Sequence, residues 1–481
     1  MASTTWPARA RPQAARNANW YAAVDLGPAL GKELRAWSLI AVGSLAVAGI
    51  FAFLLALSRL PGIETLFSWP LGFFRKGLVI HVVFSFVVWF LALFGGLLVI
   101  ATHALAGPSP RLAGLGRAAT LAMTAALPLL FVPALMDRGE ATLNNYVPTI
   151  IDPLYYAGLL TMAVAMLLAV ARLLVNLPGR RASRQPVVCA VTMSAGVYLI
   201  ALVCFGMAYW LLRGQAPSYA FNEELFWGGG HVLQFLNTQM LIIAWLFLAG
   251  AVLAVPARLE RAAMIATGFL AAIALLAPWF YVVYPPFAAE QTSAFTNLQY
   301  ALGPAAVAVI LVIGAQAART PALWRDVAFL CVALSATLFM VGGAFGLFVD
   351  GADTRTPAHY HGVIASITLA FMGLFYTLFL PAVGRSVQPS KVLYSQIFLF
   401  AGGQLMACIG LFLAGGFGAP RKTAGAEQGL QDFGAVLGMA MNGVGALIAI
   451  VGGIMFIWIT ATALLTSPRA GNGHLVSRLQ P

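Results

Sequence analysis

Twelve apolar runs of about twenty residues follow one another along this 481-residue chain, starting near Ala36, Gly77, Ala118, Leu154, Pro186, Phe226, Arg261, Phe295, Val327, Pro357, Val392 and Val436. A hydrocarbon core of about 30 Å takes roughly 20 apolar residues per crossing. With 61% hydrophobic and 9% charged residues, a soluble domain is excluded. Lipid offers the backbone no hydrogen-bond partners, so each run must be helical. The expected fold is an all-α integral membrane protein, a twelve-transmembrane-helix bundle over residues 36–466. Residues 1–35 form a basic N-terminal segment and residues 467–481 a C-terminal tail. The first thirty-five residues are too polar for a cleavable signal.

Twelve spans put both termini on one side. With that side cytoplasmic, nineteen of the 27 Lys and Arg fall inside, among them Arg9, Arg11, Arg16, Lys32, Arg35, Arg172, Arg180, Arg181 and Arg184. The expected location is therefore the inner (cytoplasmic) membrane. The charge of +12 is then accounted for by topology and the lipid bilayer, and no nucleic acid is implied. Cys189, Cys204, Cys331 and Cys408 stand singly within spans and read as small apolar residues.

Four of the six histidines, His81, His231, His359 and His361, sit near the starts of the second, sixth and tenth spans. These spans run in the same direction, so the four share a depth near the outer side. Ionisable groups inside a membrane are functional by default, and neutral imidazole is well suited to axial ligation of haem iron. His359 and His361 are two positions apart, about 200° around a helix, and so serve different partners. His103 and His474, toward the cytoplasmic side, read as interfacial or hydrogen-bonded residues. Arg75 and Lys76 before His81, and Arg421 and Lys422 between the last two spans, are cations on the outer side; haem propionates would give them a role. Gly228-Gly229-Gly230 ahead of His231 admits a close backbone approach or an unwound helix start.

These residues resemble the catalytic subunit I of the haem–copper oxidase superfamily, which includes the nitric oxide reductases. Asp353-Thr354-Arg355-Thr356-Pro357-Ala358-His359-Tyr360-His361 is similar to its helix-ten signature, Arg75 to Trp89 to its helix two, and Phe226-Trp227-Gly228-Gly229-Gly230-His231 to its helix-six motif. Pro420-Arg421-Lys422 is similar to its propionate-binding pair. The resemblance implies two haems, taken as haem b. His81 and His361 would be the axial ligands of a low-spin haem and His359 that of a high-spin haem. Arg421 and Lys422 would hold propionates, and His231 would be a ligand of a second metal, copper or non-haem iron, or a distal ligand. An external donor such as a cytochrome c or a copper protein, and an accessory membrane subunit, are implied partners.

The second metal should have two more histidines on the seventh span, where this chain reads Pro278-Trp279-Phe280-Tyr281-Val282-Val283-Tyr284. One imidazole is a poor site for a transition metal, so ligand count argues against copper or non-haem iron unless Tyr281, Tyr284 or Glu290 contributes oxygen. Phe235 stands where the oxidases have tyrosine and the nitric oxide reductases glutamate. Gln234, Asn237, Thr238 and Gln239 are left to packing or to a polar cavity. With essentially no charged side chain deep in a span, proton pumping is not expected. Three functions stay open. The first is a respiratory electron carrier that also reduces dioxygen or nitric oxide. The second is a bis-histidine di-haem electron-transfer or gas-sensing protein. The third is a haem- or metal-handling transporter.

Overall fold

The computed structural model describes residues 28–58, 73–177, 185–253, 256–318, 320–349 and 351–466. Arg9, Arg11, Arg16, Arg180, Arg181, Arg184, His474 and the tail 467–481 lie outside the described residues. Twelve helices are long and apolar enough to cross a membrane: α1 Pro28–Ser58, α2 Phe74–Ala106, α3 Ala113–Leu135, α4 Pro153–Asn176, α5 Pro186–Leu212, α6 Tyr219–Gly250, α7 Ala257–Val283, α8 Ala289–Ala317, α9 Val327–Gly346, α10 Arg355–Ala382, α11 Lys391–Gly416 and α12 Phe433–Leu465. The chain is a multi-pass membrane protein. Each helix starts at or before its apolar run, because polar interfacial residues carry the helix past the hydrocarbon. Asp152, Ser218, Asp326, Ser390 and Asp432 cap the starts of α4, α6, α9, α11 and α12 with side-chain oxygens.

Neighbours in sequence pack as pairs, and α12 returns to pack on α1, closing the bundle. Three helices fill its centre. The apolar windows of α2, α6 and α10 are 94%, 89% and 83% buried, while no other helix exceeds 56%. These are the helices that carry His81, His231, His359 and His361. Trp89 of α2 stacks on Phe375 of α10 at 5.7 Å, and Phe371 meets both Trp89 and Phe90 edge-on. Each such aromatic pair contributes about 0.5–1.5 kcal/mol beyond burial. Both helices contain a π segment, Val83–Val88 in α2 and Phe375–Phe379 in α10. A π segment re-phases the helix faces beyond it and is frequent at functional sites. That of α2 begins two residues after His81.

At the rim, α11 and α12 approach until backbones touch. Gly403 and Gly410 meet the α12 backbone, and Gly438, Gly445 and Gly452 meet that of α11. Small residues permit this closeness where lipid supplies no hydrophobic drive between helices. Between α3 and α4 a two-stranded hairpin, β1 Glu140–Thr142 and β2 Thr149–Ile151, pairs antiparallel with Ala141 opposite Ile150. The connection between the third and fourth apolar runs thus holds a strand pair.

Candidate functional site

The hairpin marks one end of the bundle, and the starts of α2, α6 and α10 gather beneath it. Lys76 at the head of α2 pairs with Asp137 at 2.5 Å. Asp353, just before α10, bridges to Pro420, and Thr354 N donates to Ala419 O at 3.0 Å. Asn145 at the hairpin tip bonds Glu223 near the start of α6. The four histidines therefore belong to the same end of the molecule.

Their rings have different partners. His81 Nδ1 lies 3.0 Å from Ala48 O of α1, and His359 Nδ1 lies 2.7 Å from Gly342 O of α9. A carbonyl only accepts, so both Nδ1 atoms carry the hydrogen and both Nε2 atoms carry the lone pair. Gly342 and Gly346 leave room for α10 and for the His359 ring: a Cβ on Gly346 would press on that ring. His361 turns away from this contact and stacks on Tyr360 at 5.2 Å. The two histidines thus have separate surroundings, as their spacing predicts.

His231 is fully enclosed, 1% exposed, and both ring nitrogens are engaged. Nδ1 donates to Trp227 O at 2.7 Å, so Nε2 accepts, and its donor is the Tyr146 hydroxyl at 3.0 Å. Tyr146 comes from the hairpin tip, where its φ of 63° is left-handed. Burial pushes its phenol above the usual range, with Glu223 adding to the effect, so it stays protonated and donates. The glycine run receives this and other rings. Gly228 faces the Tyr281 hydroxyl and Phe295, Gly229 faces Phe205, and Gly230 faces Tyr146. The run stays α-helical rather than unwinding, so it offers no half-helix end for a transported ion.

Among the described residues, no group of three or more His, Cys, Asp or Glu is placed to hold a metal ion. Tyr281 turns its hydroxyl to Gly228, Glu290 is exposed, and Phe235 is buried. Gln234 and Asn237 bond each other at 3.3 Å beside a void of about 10 Å³ next to Tyr146, while Gln239 ties α6 to Thr267 of α7.

Arg421 and Lys422 lie at the same end, and Lys422, with a left-handed φ of 62°, hydrogen-bonds Leu143 O of the hairpin. Burial, helped by the Arg421 charge and opposed by Glu223, brings its amine down to about 8 from 10.5. The unfolded chain then binds the extra proton between about pH 8 and pH 10.5, so stability rises with pH across that window. We expect the thermal midpoint to climb from pH 8 toward 10.5 in the wild type. In Lys422→Met the climb should be smaller, as followed by intrinsic fluorescence.

The opposite end gathers a second set of polar residues. His103 is fully buried, 3.8 Å from the Glu33 carboxylate. Arg172 is buried in α4 and binds Glu33 of α1 through both terminal nitrogens. Gly116 of α3 makes room for the guanidinium, since a Cβ there would strike it.

No family model matches the chain. It is similar to an uncharacterized protein of Rickettsia prowazekii (strain Madrid E), 24% identical over 488 residues covering 88% of this chain and 94% of that protein. An uncharacterized protein of Aquifex aeolicus (strain VF5) is 27% identical over 347 residues, 71% of this chain and 83% of that protein. The solved structure of a haem–copper terminal oxidase dimer superposes with a TM-score of 0.71 over 92% of this chain and 85% of that chain, at 14% identity. The chain has that oxidase's fold. Its central helices α2, α6 and α10 therefore form the core of a twelve-helix bundle of the oxidase subunit I type.

Proposed function

We propose that this protein holds two haems, taken as haem b, without a second metal, and carries electrons in a respiratory chain. His81 and His361 would hold the low-spin haem, and His359 would hold the other. The observation that carries this reading is the shared state of His81 and His359. Each ties Nδ1–H to a main-chain carbonyl, which fixes the ring and leaves Nε2 as the basic nitrogen, the arrangement common among metal-ligating histidines. Haem held there would supply one-electron redox and, where His359 alone holds it, binding of a diatomic gas.

The remaining roles fall to the chain's own residues. Arg421, together with Lys422, offers positive charge for propionates at the hairpin end. Gly342 and Gly346 keep the His359 ring seated. Trp89, Phe371 and Phe375 keep water out of the space between α2 and α10. His231 is not an axial ligand, because Tyr146 already uses its lone pair. The positive charge distribution supports an inner-membrane location, with residues 1–35 and 467–481 in the cytoplasm. It would place the hairpin end toward an external donor such as a cytochrome c or copper protein, with an accessory membrane subunit as a further partner.

The test is haem and metal analysis of the purified protein, with reduced-minus-oxidised spectra taken with and without carbon monoxide. Two haems, one of them shifted by carbon monoxide, and no stoichiometric copper or non-haem iron are expected. A stoichiometric third metal overturns the metal-free assignment, and absence of haem overturns the reading.

A further inference from the structure

We infer that the Tyr146 hydroxyl takes the position on His231 that a metal ion would need, so that the hairpin tip closes this site to metals. The inference deepens the metal-free reading above and rests on it for the identity of the neighbouring haem. Its geometry stands apart from that reading. His231 has one lone pair, on Nε2, because Trp227 O holds the Nδ1 hydrogen. A metal on Nε2 must displace the phenol 3.0 Å away.

Displacement is resisted by a built support. Glu223 accepts from Asn145 N at 2.8 Å and from Asn145 Nδ2 at 2.5 Å, clamping the residue before Tyr146. Asn144 Nδ2 donates to Val147 O at 2.6 Å across the tip, and Asn222 Nδ2 donates to Thr142 Oγ1 at 3.0 Å. Lys422 holds Leu143 O from the other side. A left-handed tyrosine is strained and persists only where its surroundings enforce it. Gly230 completes the seat, because any side chain there would collide with the Tyr146 ring. Tyr146 and Glu223 are therefore positioning residues for His231.

Two measurements test this. In zinc chloride titrations of purified full-length protein, the wild type and His231→Ala should bind the same number of ions. In Tyr146→His, an imidazole plus a metal–nitrogen bond of about 2.0–2.1 Å spans roughly the reach of the phenol. This variant should gain one zinc ion that is lost again in Tyr146→His/His231→Ala. Zinc bound by wild type and lost in His231→Ala overturns the inference. Tyr146→Phe keeps the ring packed on Gly230, so it guards against misfolding of the histidine variant. In [15N]histidine-labelled protein, the unprotonated Nε2 signal of His231 should move to that of a lone pair without a donor, and an unmoved signal overturns the inference. Haem content measured on the same samples separates the two ideas: protein without haem that still gives these results refutes the haem reading alone.

Discussion

Arg172→Ala is expected to lower the thermal midpoint more than any other single substitution at the end of the bundle opposite the hairpin. Its guanidinium is 3% exposed and bound in a fork to Glu33, whose side chain is 17% exposed. Removing one partner of a buried pair leaves the other charge desolvated, at a cost of about 3–5 kcal/mol. The residual exposure of Glu33 places the expected loss near the lower limit. The pair joins α1 to α4, and His103 brings in the end of α2, so three elements loosen together. Thermal unfolding in detergent, followed by fluorescence, reads the effect. Glu33→Gln/Arg172→Met should recover most of it, because neither replacement leaves an unpaired charge. A wild-type midpoint for Arg172→Ala would mean that the pair is solvated and adds little.

His359→Ala should remove one haem and the whole carbon monoxide response, while the spectrum of the bis-histidine haem persists. The two proposed ligands draw on different helices for support: His359 on Gly342 of α9, His81 on Ala48 of α1. Loss of one ring therefore leaves the seat of the other in place. His81→Ala should do the converse, abolishing the low-spin spectrum and retaining carbon monoxide binding. Pyridine haemochrome content and carbon monoxide difference spectra distinguish the outcomes. If His359→Ala keeps its carbon monoxide response, the open iron belongs to another ligand.

The number and order of the helices were legible in the sequence, as was the separation of His359 from His361. Both follow from local rules: apolar length sets a crossing, and helical pitch sets the angle between two positions. The hairpin was not legible, because its strands are three residues each and lie between two helices. Nor were the π segments, which lie in runs of Val, Phe and Leu that suit an α-helix equally well.

The sequence by itself determined the twelve crossings and the end of the bundle at which the histidines collect. Only the tertiary structure decided which helices are central. The buried α2 has the highest mean hydropathy of the twelve and the buried α6 the lowest, because lipid and protein interior both accept apolar faces and hydropathy does not tell them apart. Tertiary structure also brought Tyr146 to His231 across 85 positions and Arg172 to Glu33 across 139. Contacts of that separation depend on how helices are placed around one another, and no local pattern in the chain encodes that placement.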